Sequence, residues 1–217
     1  MDIKEAVEKR HSVRSYEDKQ IEPEKAAALE ALIEEYNKES GLHIQLVKDE
    51  PKAFDSALAH YGRFSGVKNY IALIGKKSEK LDELCGYYGE KLVLEAQMMG
   101  LNTCWVALTF KKVPEAYSVL PGEKLVLVIS LGYGKDQGVP HKSKKPEDVS
   151  NVSADTPEWF KAGVDAALLC PTAVNQQKFR FIYENGKVTA KPGVGFYAKV
   201  DLGIAKYHFE IGSGIKL

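Results

Sequence analysis

Three stretches of the chain gather groups able to bind or react. "RHSVRSY" sets Arg10, Ser12 and Arg14 at every second position, which puts all three on one side of an extended segment. Two guanidiniums and a hydroxyl there make a phosphate clamp, because each guanidinium is a planar fork of donors that grips phosphate oxygens in pairs. The same residues also suit a solvated helix end, with arginine near the negative end of the dipole. "HKSKKPEDV" supplies Lys142 and Lys144, which alternate and could reach the same phosphate; as a bare charge run it suits a solvated loop equally. "LLCPTAVNQQKFRF" (168–181) places a Pro-Thr-Ala-x-Asn loop, dense in hydrogen-bonding groups, between an apolar run and an alternating strand.

Other motifs fail on context. "LGYGKDQG" follows a strand, but a Pro/Lys-rich loop comes after it rather than the helix a dinucleotide fingerprint needs. "IGKKS" lacks the upstream glycine and the ending of a phosphate loop, and "SGVK" stands without the rest of a Ser-x-x-Lys signature. The five histidines show no ligand spacing with one another or with cysteine, so no metal is expected. The acidic pairs fall on solvated helix faces, which disfavours a two-carboxylate hydrolase.

The elements that must position these stretches follow from periodicity. Helices are expected at 2–10, over "EPEKAAALEALIEEYNKESG" with its Gly41 stop, in a short piece of 51–60, over 78–99 with Ser78 as cap and Gly100 as close, at 157–169, and over "YAKVDLGIAKYHFEIG". Strands are expected at 43–47, 69–75, "NTCWVAL", 124–134 and 178–183, and "ENGK" is a type I′ hairpin turn. The mixture lacks strict βαβ alternation, so the fold class is α+β with a mixed or antiparallel sheet packed with helices.

With 217 residues, 44% of them hydrophobic, the chain can bury one full core, or one domain with two lobes. Thirty basic residues balance thirty acidic ones, which argues against a nucleic-acid partner. No run approaches membrane length, and the charged, amphipathic start is unlike a signal peptide. Cys85, Cys104 and Cys170 are widely spaced and odd in number, as expected of reduced core residues in a cytoplasmic protein.

A faint internal echo is present. Residues 23–47 and 157–182 both open on Pro-Glu, run through a helix and end in an alternating strand, and "YGEKLVLEAQMMG" echoes "YAKVDLGIAKYHFEIG". Between helix and strand the first copy has "NKESGL" where the second has "PTAVNQ".

"RHSVRSY", "MMGLNTCWVAL" and "SLGYGK…HKSKKPEDV", in that order over residues 2–150, resemble the nitroreductase family of FMN-dependent flavoproteins. "PTAVNQQKFRF" resembles that family's Pro-Ser-x-x-Asn-x-Gln-Pro-Trp loop, departing at Lys178 and Phe179. In the family this loop lies one helix after the first motif, and the members are typically homodimers whose flavin takes the arginines from one subunit and the loop from the other. The resemblance therefore implies a duplicated, single-chain pseudo-dimer: a nitroreductase-like FMN-binding lobe at 1–150 and an abbreviated second lobe at 151–217. The chain would then be a monomeric pseudo-dimer or a homodimer.

The resemblance also implies roles. Arg10, Ser12 and Arg14, with His11 alongside, would bind the FMN phosphate and ribityl chain. Lys142 and Lys144 would add charge at the phosphate, although the family more often has Arg at the second position. Pro171, Thr172, Ala173 and Asn175 would edge the isoalloxazine ring, and the backbone N–H of Leu108 would lie beside the reactive nitrogen. Ala107 stands where some relatives have Glu. Tyr61, Phe64, Tyr70, Phe110 and Phe196 could line a pocket, while each alone reads as ordinary core. No catalytic side chain is implied, since electrons would pass from NAD(P)H through flavin to a nitroaromatic, quinone or similar acceptor. The alternatives are an FMN-binding or flavin-less protein of this fold without reductase turnover, and another reductive reaction such as dehalogenation or flavin fragmentation.

Overall fold

The first helix, α1 (Ile3–Lys9), buries Ala6 and Val7. α2 (Pro23–Ser40) has proline in its first turn and buries Leu29, Ile33 and Tyr36. It stops at Gly41, whose φ of 72° lets its N–H return to Asn37 O. There follow β1 (Gln45–Val47), α3 (Ala57–Tyr61), β2 (Asn69–Lys76), α4 (Leu81–Met98), β3 (Asn102–Val106), β4 (Glu123–Gly132), α5 (Pro146–Val149), α6 (Glu158–Ala167), β5 (Phe179–Glu184), β6 (Lys187–Pro192) and α7 (Ala198–Ser213). This computed structural model describes residues 1–217. The class is α+β, as expected, and every strand pair is antiparallel. Ser78 does not cap α4. The helix begins at Leu81, whose N–H closes a turn onto Ser78 O, and no side chain caps it.

The chain forms two compact units, each drawn from separate stretches. The sheet unit comprises residues 10–81 and 92–139. Its four strands lie in the order β1-β2-β4-β3. β2 is buried from Asn69 to Gly75, which explains its unbroken apolar run. Phe54, Phe64, Tyr70 and Phe110 pack in this unit's core with Val13, Tyr16, Cys104 and Val106. Core is therefore the right reading for three of the five candidate pocket aromatics. Tyr61, at the end of α3, is exposed instead.

The other unit comprises residues 1–9, 82–91 and 140–217. β5 and β6 form a hairpin whose Asn185 and Gly186 have φ of 52° and 76°, as a type I′ turn requires. Stacked Phe181 and Phe209 (centroids 4.6 Å apart) and Phe160 tie α6, α7 and the hairpin together. Gly163 lies against the Phe209 ring with no room for a Cβ. The α4 segment 82–91 crosses α7 at two glycines: Gly86 is seated on Val200 O, and Gly203 on Glu83 O. Glu90 and His208 meet nearby at 2.8 Å, both wholly buried. Phe196, before α7, is exposed rather than core. Cys85 and Cys170 are buried in this unit, as Cys104 is in the other. No helix is long and apolar enough to cross a membrane.

Candidate functional site

Segment 10–17 of the sheet unit is extended and held on two sides. Val13 N donates to Thr103 O at 3.0 Å, and Ser12 pairs with Thr103 of β3. Tyr16 pairs with Gly134, Lys135 N donates to Ser15 O at 2.9 Å, and Glu17 N donates to Tyr133 O at 2.8 Å. The loop after β4 is itself fastened to β3: the Asn102 side chain accepts from Gly134 N and donates to Gln137 Oε1. At Gly138, with φ of 69°, a Cβ would run into His11 Cβ, so the chain folds closely over His11 and Ser12. Three motifs that lie far apart in sequence therefore meet in this unit.

Arg10, Ser12 and Arg14 act on a common neighbour. Burial pushes the Cys104 thiol above its ordinary range, opposed by Arg14, by a side-chain hydrogen bond with Ser12, and by Arg10. Exposure along the three is graded. Arg10 is only 3% exposed, Ser12 is half-buried, and Arg14 is open to solvent. Beneath them Tyr16 OH lies 2.9 Å from Ser130 Oγ, which donates to Cys104 O. Leu108, in the loop after β3, is 71% exposed.

The second group lies in the helix–hairpin unit, where the basic loop 141–145 and the loop 171–177 are knitted together. Asn175 Nδ2 donates to Lys142 O at 2.9 Å. Gln177 Nε2 donates to Lys142 O and to Asn175 Oδ1, each at 2.8 Å. Lys144 N donates to Gln177 Oε1 at 2.8 Å, and Lys144 Nζ to Gln177 O at 3.1 Å. Ser143 Oγ donates to Leu168 O, and His141 Nε2 lies 3.0 Å from the same oxygen. Lys142 and Lys144 both stay exposed.

The loop 171–177 is built under strain. Pro171 is buried, Thr172 and Ala173 are half-buried, and Ala173–Asn175 is a 3-10 turn. Val174, Asn175 and Gln177 have φ of 46°, 53° and 45°. Asparagine tolerates this region, whereas a β-branched valine is a genuine outlier there. Thr172 Oγ1 accepts from Gln177 N, and the Asp201 carboxylate accepts from Ala173 N and the Gln176 side chain. Burial raises the Asp201 pKa to about 6, against the pull of those two bonds.

Sequence reasoning passed over Gln177 and Asp201. Gln177 is buried and satisfies both loops; it stands at the Gln of the loop motif, but no role was assigned to it there. Asp201 stands alone in the apolar run "VDLGIA". A single acid inside an otherwise buried helix turn was the available signal.

A family profile described as "Putative TM nitroreductase" matches residues 2–213. The chain belongs to this nitroreductase family. Membership carries the oxidoreductase class. The "putative nitroreductase" of Thermotoga maritima is similar in fold, with a TM-score of 0.70 at 23% identity, covering 98% of this chain and 83% of the Thermotoga chain. A nitroreductase family protein of Streptococcus pneumoniae gives 0.54 at 16% identity, covering 68% of this chain and 98% of its own. The "Putative NADH dehydrogenase/NAD(P)H nitroreductase" of Bacteroides thetaiotaomicron gives 0.51 at 20% identity, covering 67% and 95%. No curated protein matches the sequence.

Proposed function

We propose that this nitroreductase binds FMN and passes electrons from NAD(P)H to a nitroaromatic, quinone or similar acceptor. The observation that carries the reading is the convergence of Arg10, Ser12 and Arg14 on Cys104, within a family of flavoproteins. These three residues, with His11, hold the phosphate and ribityl chain. Each charge-assisted contact contributes about 1.5–3 kcal/mol, so two or three supply much of the ~8 kcal/mol of micromolar binding. Lys142 and Lys144 add positive charge. Pro171, Thr172, Ala173 and Asn175 border the ring, and Leu108 presents its backbone N–H. Exposed Arg14, Lys142 and Lys144 fit an anionic ligand, and a loop in a strained conformation fits a binding role. A bound flavin supplies two-electron transfer, and the protein's task is to hold and shield it.

The proposal includes a fused layout in which residues 151–217 stand in for a partner subunit and one chain carries one FMN. Two observations support it. The helices that carry the internal echo cross with a reciprocal contact: Gly86 meets the residue three before Gly203, and Gly203 meets the residue three before Gly86. Contacts at a two-fold interface are exchanged in this way. In addition, about two thirds of this chain accounts for nearly all of the Streptococcus and Bacteroides folds.

A second reading, a protein of this fold without turnover, draws on Asn175, whose amide is already bonded to Lys142 O and Gln177. Consumption of NADH or NADPH with menadione present separates the two. Oxidation that depends on FMN supports the reductase, and a yellow protein inert to both nucleotides supports the alternative.

A further inference from the structure

Asp201 lies in the first turn of α7 and is 2% exposed. Its neighbours Val200, Leu202, Ile204 and Ala205 are buried and apolar. A carboxylate sunk among such side chains is costly unless its oxygens are hydrogen-bonded. Each accepts one bond. Oδ1 accepts from Ala173 N at 2.9 Å, and Oδ2 accepts from Gln176 Nε2 at 2.7 Å. The same Nε2 donates to Phe196 O at 2.6 Å, which ties the clamp to the approach to α7. The two grips flank Val174 and Asn175, which hold φ of 46° and 53°. Relaxed, Val174 would leave that region, because its branched Cβ clashes there and its exposed side chain gains nothing by staying.

We infer that Asp201 is a positioning residue: by holding Ala173 N and the Gln176 side chain it keeps the 172–177 loop in the conformation that presents Asn175 and exposes Val174. The loop's own bonds do not replace it. Asn175 N to Thr172 O and Gln176 N to Ala173 O close the turn locally, but only Asp201 ties the Ala173 amide to the helix. The link from this loop to flavin binding rests on the proposed function; the positioning itself does not.

The test follows amide exchange of Ala173, Asn175 and Gln177 in the full chain without FMN, then FMN titration. Asp201→Leu removes both acceptors while suiting the apolar surroundings, and exchange at these amides should rise at least about tenfold with the α6 and α7 amides unchanged. Asp201→Asn keeps an acceptor for Ala173 N, but turning the Gln176 amide over to meet the new NH2 gives up its bond to Phe196 O, so exchange at Ala173 should rise less than in Asp201→Leu. If Asp201→Leu does not fold, Gln176→Ala leaves the buried acid in place and should still speed exchange at Asn175. Parental exchange in Asp201→Leu, or in Gln176→Ala where that variant is used, overturns the inference. The FMN dissociation constant of Asp201→Leu should rise at least about tenfold. If the parent binds FMN and Asp201→Leu binds it equally, the loop's part in flavin binding falls, while the exchange result still decides the positioning. If the parent binds none, the flavin reading falls and the exchange result still decides the positioning.

Discussion

Gly86 and Gly203 face each other where α4 crosses α7, each seated on the other helix's backbone with no space for a Cβ. Backbone cannot move aside as a flexible side chain can. Gly86→Ala or Gly203→Ala should therefore push the helices apart and lower folding stability by about 2 kcal/mol or more. Urea denaturation measures this, and a loss under about 0.5 kcal/mol would mean that the crossing is looser than it stands here.

Val174 is 91% exposed with φ of 46°. Val174→Gly loses almost no burial and removes a backbone penalty of about 1–3 kcal/mol, against the greater chain entropy of glycine when unfolded. The net expectation is a gain of about 1 kcal/mol in urea unfolding. A loss would show that the loop tolerates valine without strain.

Asp201 titrates at about 6 in the fold against an ordinary 3.8. The folded chain therefore holds this proton more tightly than the unfolded chain does. The contribution to stability is full below pH about 4 and is lost as pH rises through 6, by about 3 kcal/mol at most. The stability difference between the parent and Asp201→Asn, measured from pH 4 to 7, should follow this fall. A difference that stays constant with pH would contradict it.

Arg14 is exposed, two residues from the half-buried Ser12. Arg14→Ala should leave the melting temperature within a few degrees and weaken FMN binding about tenfold or more, as expected for one charge-assisted contact. Equilibrium dialysis reads the change, and unchanged retention would remove Arg14 from the clamp.

Much of the fold was legible because local rules and tertiary packing agree. The Leu29–Tyr36 stripe, the Gly41 stop, the apolar run of β2 and the Asn185-Gly186 turn each became what their pattern implies. Errors came where one residue carried a local signal that its neighbours overrode. Ser78 reads as a cap, yet it lies in a preceding turn. The stretch read as a continuous basic loop contains α5, which opens on Pro146. Tyr61 and Phe196 read as core on hydrophobicity alone, but each adjoins a glycine (Gly62, Gly195) and faces solvent. Of the candidate site, the two cationic stretches and the Asn-bearing loop were legible as motifs. The bonds that fasten Lys142 and Lys144 to the loop through Gln177 were not, nor was the hold of Asp201. Their partners lie 25 to 35 residues away and meet only once the chain is folded.

The most direct measurement is the FMN content of the purified chain after reconstitution, from the flavin absorbance against protein concentration, with molar mass by light scattering. One FMN per 24.1 kDa chain, in a particle of one chain's mass, is the expected result. A colourless protein that takes up no added FMN, or two flavins per chain, would contradict it.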